Sequence, residues 1–230
     1  DSQRCISIDG IPLKPINYIT FHVDFYNSIF SPKKLSSSNI HIYSVLFVIE
    51  FCRHLIKSVP LGDRIFKVGI ICPYVAEAQM IEKLLEQIID VPEHFSFMVG
   101  TIHSFQGDEC DIMLIVLNPP LQCSKGSHIN KQNIINVAMS RARDYIFFIM
   151  PQGQPNGMII KELLRKMTQK SERAMFFCGD IEEIMFGNRN HIASNTHVTC
   201  HMPVNVYCEE TSMYEVRISN DALDIKVNEQ

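Results

Sequence analysis

Tryptophan is absent from the 230 residues, and no two of the eight cysteines stand as C-x-x-C. No run of ~18 or more apolar residues occurs, which removes any helix able to span a bilayer. No basic start followed by an apolar stretch marks a secretory leader. Glycine (10) and proline (11) are too few for a collagenous or low-complexity chain. Charge of one sign is also lacking: 21 Lys and Arg against 25 Asp and Glu give a net charge of −4. With a pI near 6.1, the chain is not a globally basic nucleic-acid-coating protein, although a local basic site in a cleft stays open. The phosphate-cradling pattern G-x-x-x-x-G-K-[ST] is missing throughout.

What is present is a chain able to fold. Hydrophobic residues make up 46% of it, too many for disorder. Its length fits one large domain, or one domain with a small appendage. It opens on Asp1 and reads as a piece of a longer protein. The cysteines (5, 52, 72, 110, 123, 178, 200 and 208) are scattered, several inside apolar runs. Free buried thiols of a cytoplasmic protein are therefore expected, rather than disulfides or a metal site. His197, Cys200, His201 and Cys208 form a loose cluster whose spacing fits no common zinc pattern.

Short apolar runs alternate with helical patterns. Strands are expected over residues 15–23, 68–72, 97–102, 112–117 and 145–150. The runs at 68–72 and 112–117 are almost wholly apolar and end at prolines, as strands buried on both faces do. Helices are expected over 39–58, 76–89, 131–143 and 158–170, with a loop at 122–130 and a turn at 153–157. This alternation predicts an α/β fold with a mostly parallel sheet covered on both faces, over residues 1–190. Residues 191–230 alternate polar and apolar and predict a β-rich extension, a hairpin or meander bracing the core.

In open α/β sheets ligands sit beyond the carboxyl ends of the strands. Polar residues follow several expected strands, and they are expected to gather along one edge of the sheet. Asp108-Glu109 is similar to an acidic Mg²⁺-holding pair, but it precedes an apolar strand where such a pair follows one. A complete nucleotide-hydrolysis site within the chain is thus not expected. Ser104 beside His103 does not make a nucleophile, because neighbours leaving a strand point apart and no orienting acid is evident. An unrelated doubly wound enzyme would need a glycine-rich strand-to-helix turn, and none exists.

Two long segments carry a more specific likeness. Val99-Gly100-Thr101-Ile102-His103-Ser104-Phe105-Gln106-Gly107-Asp108-Glu109 resembles motif V of the superfamily 1 helicases. Asn136-Val137-Ala138-Met139-Ser140-Arg141-Ala142-Arg143 resembles their motif VI. Gly69-Ile70-Ile71-Cys72-Pro73-Tyr74, with the helix after it, resembles the unit upstream of motif V. The order and intervals match over residues 11–152, most nearly in the branch that includes the nonsense-mediated-decay RNA helicase.

The resemblance implies the second RecA-like motor domain of an ATP-dependent helicase. ATP and Mg²⁺ would be held mainly by an upstream RecA-like domain, and single-stranded RNA or DNA would be the other partner. It implies an arginine finger at Arg141, whose planar, permanently charged fork suits a γ-phosphate. Arg143, on an expected helix, would point about 200° away from Arg141 and so miss the same phosphate. The resemblance also implies nucleotide contacts from Gln106, Gly107, Glu109 and Arg143, with Glu109 at the ribose or the water network beside it. Pro73, Tyr74, Thr101, His103 and Ser104 would meet the nucleic acid, with strand-end hydroxyl and loop N–H groups reaching its backbone. Glu77 stands where the family usually carries Gln, and a carboxylate there is expected to repel phosphate. The competing expectation is a RecA-like module that has lost catalysis and binds nucleic acid or protein.

Overall fold

The computed structural model describes residues 7–8, 11–24, 28–35, 38–59, 65–105, 109–118, 132–152, 173–200, 212–219 and 222–228. Ser7–Ile8 (β1) turns back on Ile11–Pro12 (β2), and Ile16–Phe21 (β3) follows. The short pair Lys33–Lys34 (β4) and Asn39–Ile40 (β5) leads into helix Ile42–Ser58 (α1). Then come Phe66–Ile71 (β6), helix Val75–Ile88 (α2), Phe95–Gly100 (β7) and a 3-10 turn at Ile102–Ser104. Cys110–Val116 (β8), helix Gln132–Arg141 (α3), Ala142–Pro151 (β9) and Arg173–Phe177 (β10) complete the central layer.

Six strands form one all-parallel sheet in the order β10-β3-β9-β8-β6-β7. With helices and a separate small C-terminal sheet, this is the expected RecA-like α/β fold. Period-two alternation explains why both faces bury. On β8, Ile112, Leu114 and Val116 enter one apolar cluster while Met113, Ile115 and Leu117, just beyond the strand, enter the other. On β9, Phe147 and Ile149 take the first face, and Ile146, Phe148 and Met150 the second. All seven residues of β8 are buried. Each large aliphatic side chain removed from water there contributes roughly 1.5–3 kcal/mol. At the centre the strands need close approach: a Cβ on Gly69 would lie 2.5 Å from Met113 Sδ.

Helix α1 is buried on nearly every side, from Ile42 through Cys52. Such a helix needs apolar partners all round. One side meets the sheet. Another side meets the C-terminal elements: helix Cys178–Phe186, helix His191–Ser194, Thr196–Cys200 (β11), Tyr214–Ile218 (β12) and Leu223–Val227 (β13). Ile181, Ile192, Tyr214, Val216, Leu223 and Ile225 belong to the same apolar cluster as α1 and α2. β12 and β13 pair antiparallel, but β11 joins β12 in parallel, so the three strands are not a meander.

Two expectations are corrected. The helix at 131–143 ends at Arg141, and residue 142 already pairs with Cys110 as β9. Arg143 is therefore a strand residue, and the helical-wheel angle between it and Arg141 does not apply. Strand β10 and helix Cys178–Phe186 stand where the sequence pattern predicts neither. The expected loop at 122–130, turn at 153–157 and helix at 158–170 lie outside the described residues, as do His201 and Cys208. Cys52, Cys72 and Cys110 are free and buried, and Cys178 is free and half-buried. Among the described residues no group of three or more His, Cys, Asp or Glu could hold a metal, and no helix is long and apolar enough to cross a membrane.

Candidate functional site

Parallel strands place all their carboxyl ends on one rim, and each crossover must carry the chain back to the other rim. That geometry separates the candidate residues into two groups, which corrects the expectation of a single edge. Pro73, Tyr74, Thr101, His103 and Ser104 follow the carboxyl ends of β6 and β7. Glu109, Arg141 and Arg143 lie on the amino rim, because Glu109 precedes β8 and α3 ends where β9 starts. Gln106 and Gly107 lie outside the described residues.

On the carboxyl rim, Cys72 N–H donates to Gly100 O at 2.9 Å and keeps the two corners side by side. Thr101 is half-buried and leads the 3-10 turn, its hydroxyl unused as a cap, while His103 and Ser104 are exposed. Ser104 N–H closes the turn on Thr101 O at 2.9 Å. The turn folds tightly over Gly100, where a Cβ would lie 2.7 Å from both Cβ and Oγ of Ser104. Only glycine admits that approach. Pro73 is buried, so it shapes the corner and offers no outward face, whereas Tyr74 is half-exposed. The rim thus presents small polar groups, main-chain atoms and one half-exposed tyrosine ring.

On the amino rim the two arginines differ. Arg143 Nε donates to Glu109 Oε2 at 2.9 Å, and both side chains are about half exposed (46% and 54%). Its hydrogen bond to Glu109 raises the Arg143 pKa. Arg141 is half-buried, and its Nε is enclosed without a hydrogen-bond partner among the described residues. A buried guanidinium N–H without an acceptor costs free energy until an anion arrives. The donor set fits a phosphate oxygen, which Arg grips in bidentate fashion.

Glu77 does not act as expected. It is fully buried in the first turn of α2, and burial pushes its pKa up to about 8. The Asn118 amide and the His41 main-chain N–H favour the charged form and offset only part of this. The carboxyl is therefore largely neutral at pH 7 and does not face a phosphate. Nearby His41 caps α1: Nε2–H donates to Phe30 O at 3.0 Å, and Nδ1 lies 2.6 Å from Ser44 Oγ. Those partners fix a neutral ring, assigned from the hydrogen bonds, and burial pushes its pKa down to about 4. Asn118, donating from Nδ2 to Glu77 Oε2 at 2.7 Å, is a residue that sequence reasoning misses. The available signal is one polar residue closing an unbroken apolar run.

The all-parallel sheet with its helices makes this a RecA-like α/β domain, and two matches put it with the superfamily 1 helicase type. A family model described as an AAA domain matches residues 9–153, more than half of the chain, and the chain belongs to that family. It is similar to the Helicase required for RNAi-mediated heterochromatin assembly 1 of Schizosaccharomyces pombe, 26% identical over 111 residues. That match takes in 48% of this chain and 11% of the relative's length.

Proposed function

We propose that the chain is the second motor half of an ATP-dependent helicase or translocase on single-stranded RNA or DNA. In this reading Arg141 is the arginine finger. Its enclosed Nε, without an acceptor among the described residues, is the observation that carries the assignment. Arg143 has a different role. Paired with Glu109, it holds that carboxylate at the mouth of the amino rim, where the ribose would sit. The carboxyl rim, through Thr101, His103, Ser104 and Tyr74, takes the nucleic-acid backbone. A P-loop domain elsewhere in the longer protein would hold most of the ATP and the Mg²⁺ that neutralises its charge. Closure of the two halves then brings Arg141 to the γ-phosphate.

Arg141→Ala in the longer protein should lower kcat by ~10³-fold or more, with little loss of stability. Normal turnover by that variant removes the finger assignment. The chain by itself should not hydrolyse ATP, and turnover by the purified 230-residue protein would contradict the need for a second half. A phosphate-facing carboxylate at Glu77 would favour a catalytically lost module, and its burial takes that support away.

A further inference from the structure

Helix α2 begins directly after the Pro73–Tyr74 corner, and its buried Glu77 meets Asn118 two residues beyond the end of β8. Asn118 Nδ2 donates to Glu77 Oε2 at 2.7 Å. Two enclosed atoms are without hydrogen-bond partners among the described residues, Glu77 Oε1 and Asn118 Oδ1, and they are the other halves of the same two groups. With the carboxyl ionised, both are acceptors; the His41 main-chain N–H offsets part of the cost to the carboxylate, while the amide oxygen pays desolvation with no donor in return. A single proton on Oε1 makes one of them a donor to the other.

We propose that Glu77 is held as a neutral acid in a reciprocal pair with Asn118, Oε1–H donating to Oδ1 while Nδ2–H donates to Oε2. The pair is a positioning device that fixes the Pro73–Tyr74 corner against the end of β8. Its positioning role rests on the nucleic-acid reading above; the shared proton does not. The amino end of α2 would favour an anion, but full burial outweighs it. Two other titratable groups face the pair. The Cys72 thiol is pushed well above its usual range by burial and then by Glu77. The His41 ring is pushed down to about 4. Neither changes charge between pH 5 and 8, so Glu77, raised to about 8, titrates alone in that window.

The sign follows from linkage. A carboxyl raised in the folded state contributes stability that is complete below about pH 4.5 and is lost as pH rises to about 8. Gln at position 77 keeps both hydrogen bonds and cannot ionise. The 230-residue chain and its Glu77→Gln and Asn118→Leu variants are compared by urea unfolding across that range. Relative to Glu77→Gln, the parent should lose about tenfold in folding equilibrium per pH unit between those limits, then level off. The infrared carbonyl band of a protonated carboxyl should be present at pH 7, absent in Glu77→Gln and displaced in Asn118→Leu. Binding of a fluorescent single-stranded oligouridylate should weaken in the parent between pH 7 and 9 but not in Glu77→Gln. No protonated band, or a pH-independent difference between parent and Glu77→Gln, overturns the pair. A band with RNA affinity unchanged in Asn118→Leu overturns the positioning role. Failure of every protein to bind RNA overturns the nucleic-acid reading and leaves the pair standing.

Discussion

Replacing Glu182 by alanine should loosen the C-terminal elements from the core. Glu182 is buried on helix Cys178–Phe186. Its Oε1 accepts from Tyr43 Oη–H at 2.5 Å, and its Oε2 accepts from the Ile192 N–H at 2.8 Å. One carboxyl therefore ties α1 to the short helix that leads into β11. Truncation orphans two buried donors at roughly 1–3 kcal/mol each, so a loss of about 3–4 kcal/mol is expected once water has entered. Tyr43→Phe removes one donor and should cost about 1–2 kcal/mol. Because the two residues touch, the double variant should show a coupling of about 1–2 kcal/mol. Burial raises the Glu182 pKa, while Tyr43 and the Ile192 and His191 N–H groups oppose the rise. Stability from this group is complete at low pH and falls as pH climbs above the usual carboxylate range, a slope that the alanine variant should lack. With no tryptophan to report, urea unfolding followed by circular dichroism is the assay. A loss below about 1 kcal/mol, or additive single effects, would refute the tie.

Gly69→Ala should cost about 1–3 kcal/mol by overpacking, since its Cβ would meet Met113 Sδ at 2.5 Å and Cys110 Sγ at 2.9 Å; thermal unfolding reads it, and an unchanged Tm would show that Met113 yields freely. Gly100→Ala should push Ser104 and its 3-10 turn off residue 100 and weaken oligouridylate binding about tenfold, ~1.4 kcal/mol. Adding Ser104→Gly should recover the thermal stability that Gly100→Ala loses, and a double variant that stays destabilised would place the fault elsewhere.

The central strands are legible in the sequence because their runs are apolar without interruption and end at Pro73 or just before Pro119. Helix α2 is legible through its apolar face, of which Ile81, Leu84 and Leu85 are buried. Arg143 misleads because Ser-Arg-Ala-Arg holds no glycine or proline to stop a helix; pairing of Ala142 with Cys110 overrides the local preference. Strand β10 escapes because it lies at the sheet edge, where Met175 (68% exposed) and Phe177 (51%) face outward and blur the pattern. The candidate residues can be named from their motifs. Their division between two rims cannot, since it depends on where each crossover returns. Neither can the environment of Glu77, which depends on Asn118 from a strand 41 positions away.

β8 carries a mechanical consequence. It is a seven-residue strand buried end to end, with Glu109 at one tip and Asn118 just past the other. At ~3.3 Å per residue it spans about 23 Å. Close-packed interiors compress little, and β8 is hydrogen-bonded between β9 and β6, so its two tips keep a fixed separation and move only with the sheet. In the proposed motor, a tilt of about 10° at the amino tip carries the far tip through about 4 Å, close to the ~3.4 Å spacing of successive nucleotides along one strand.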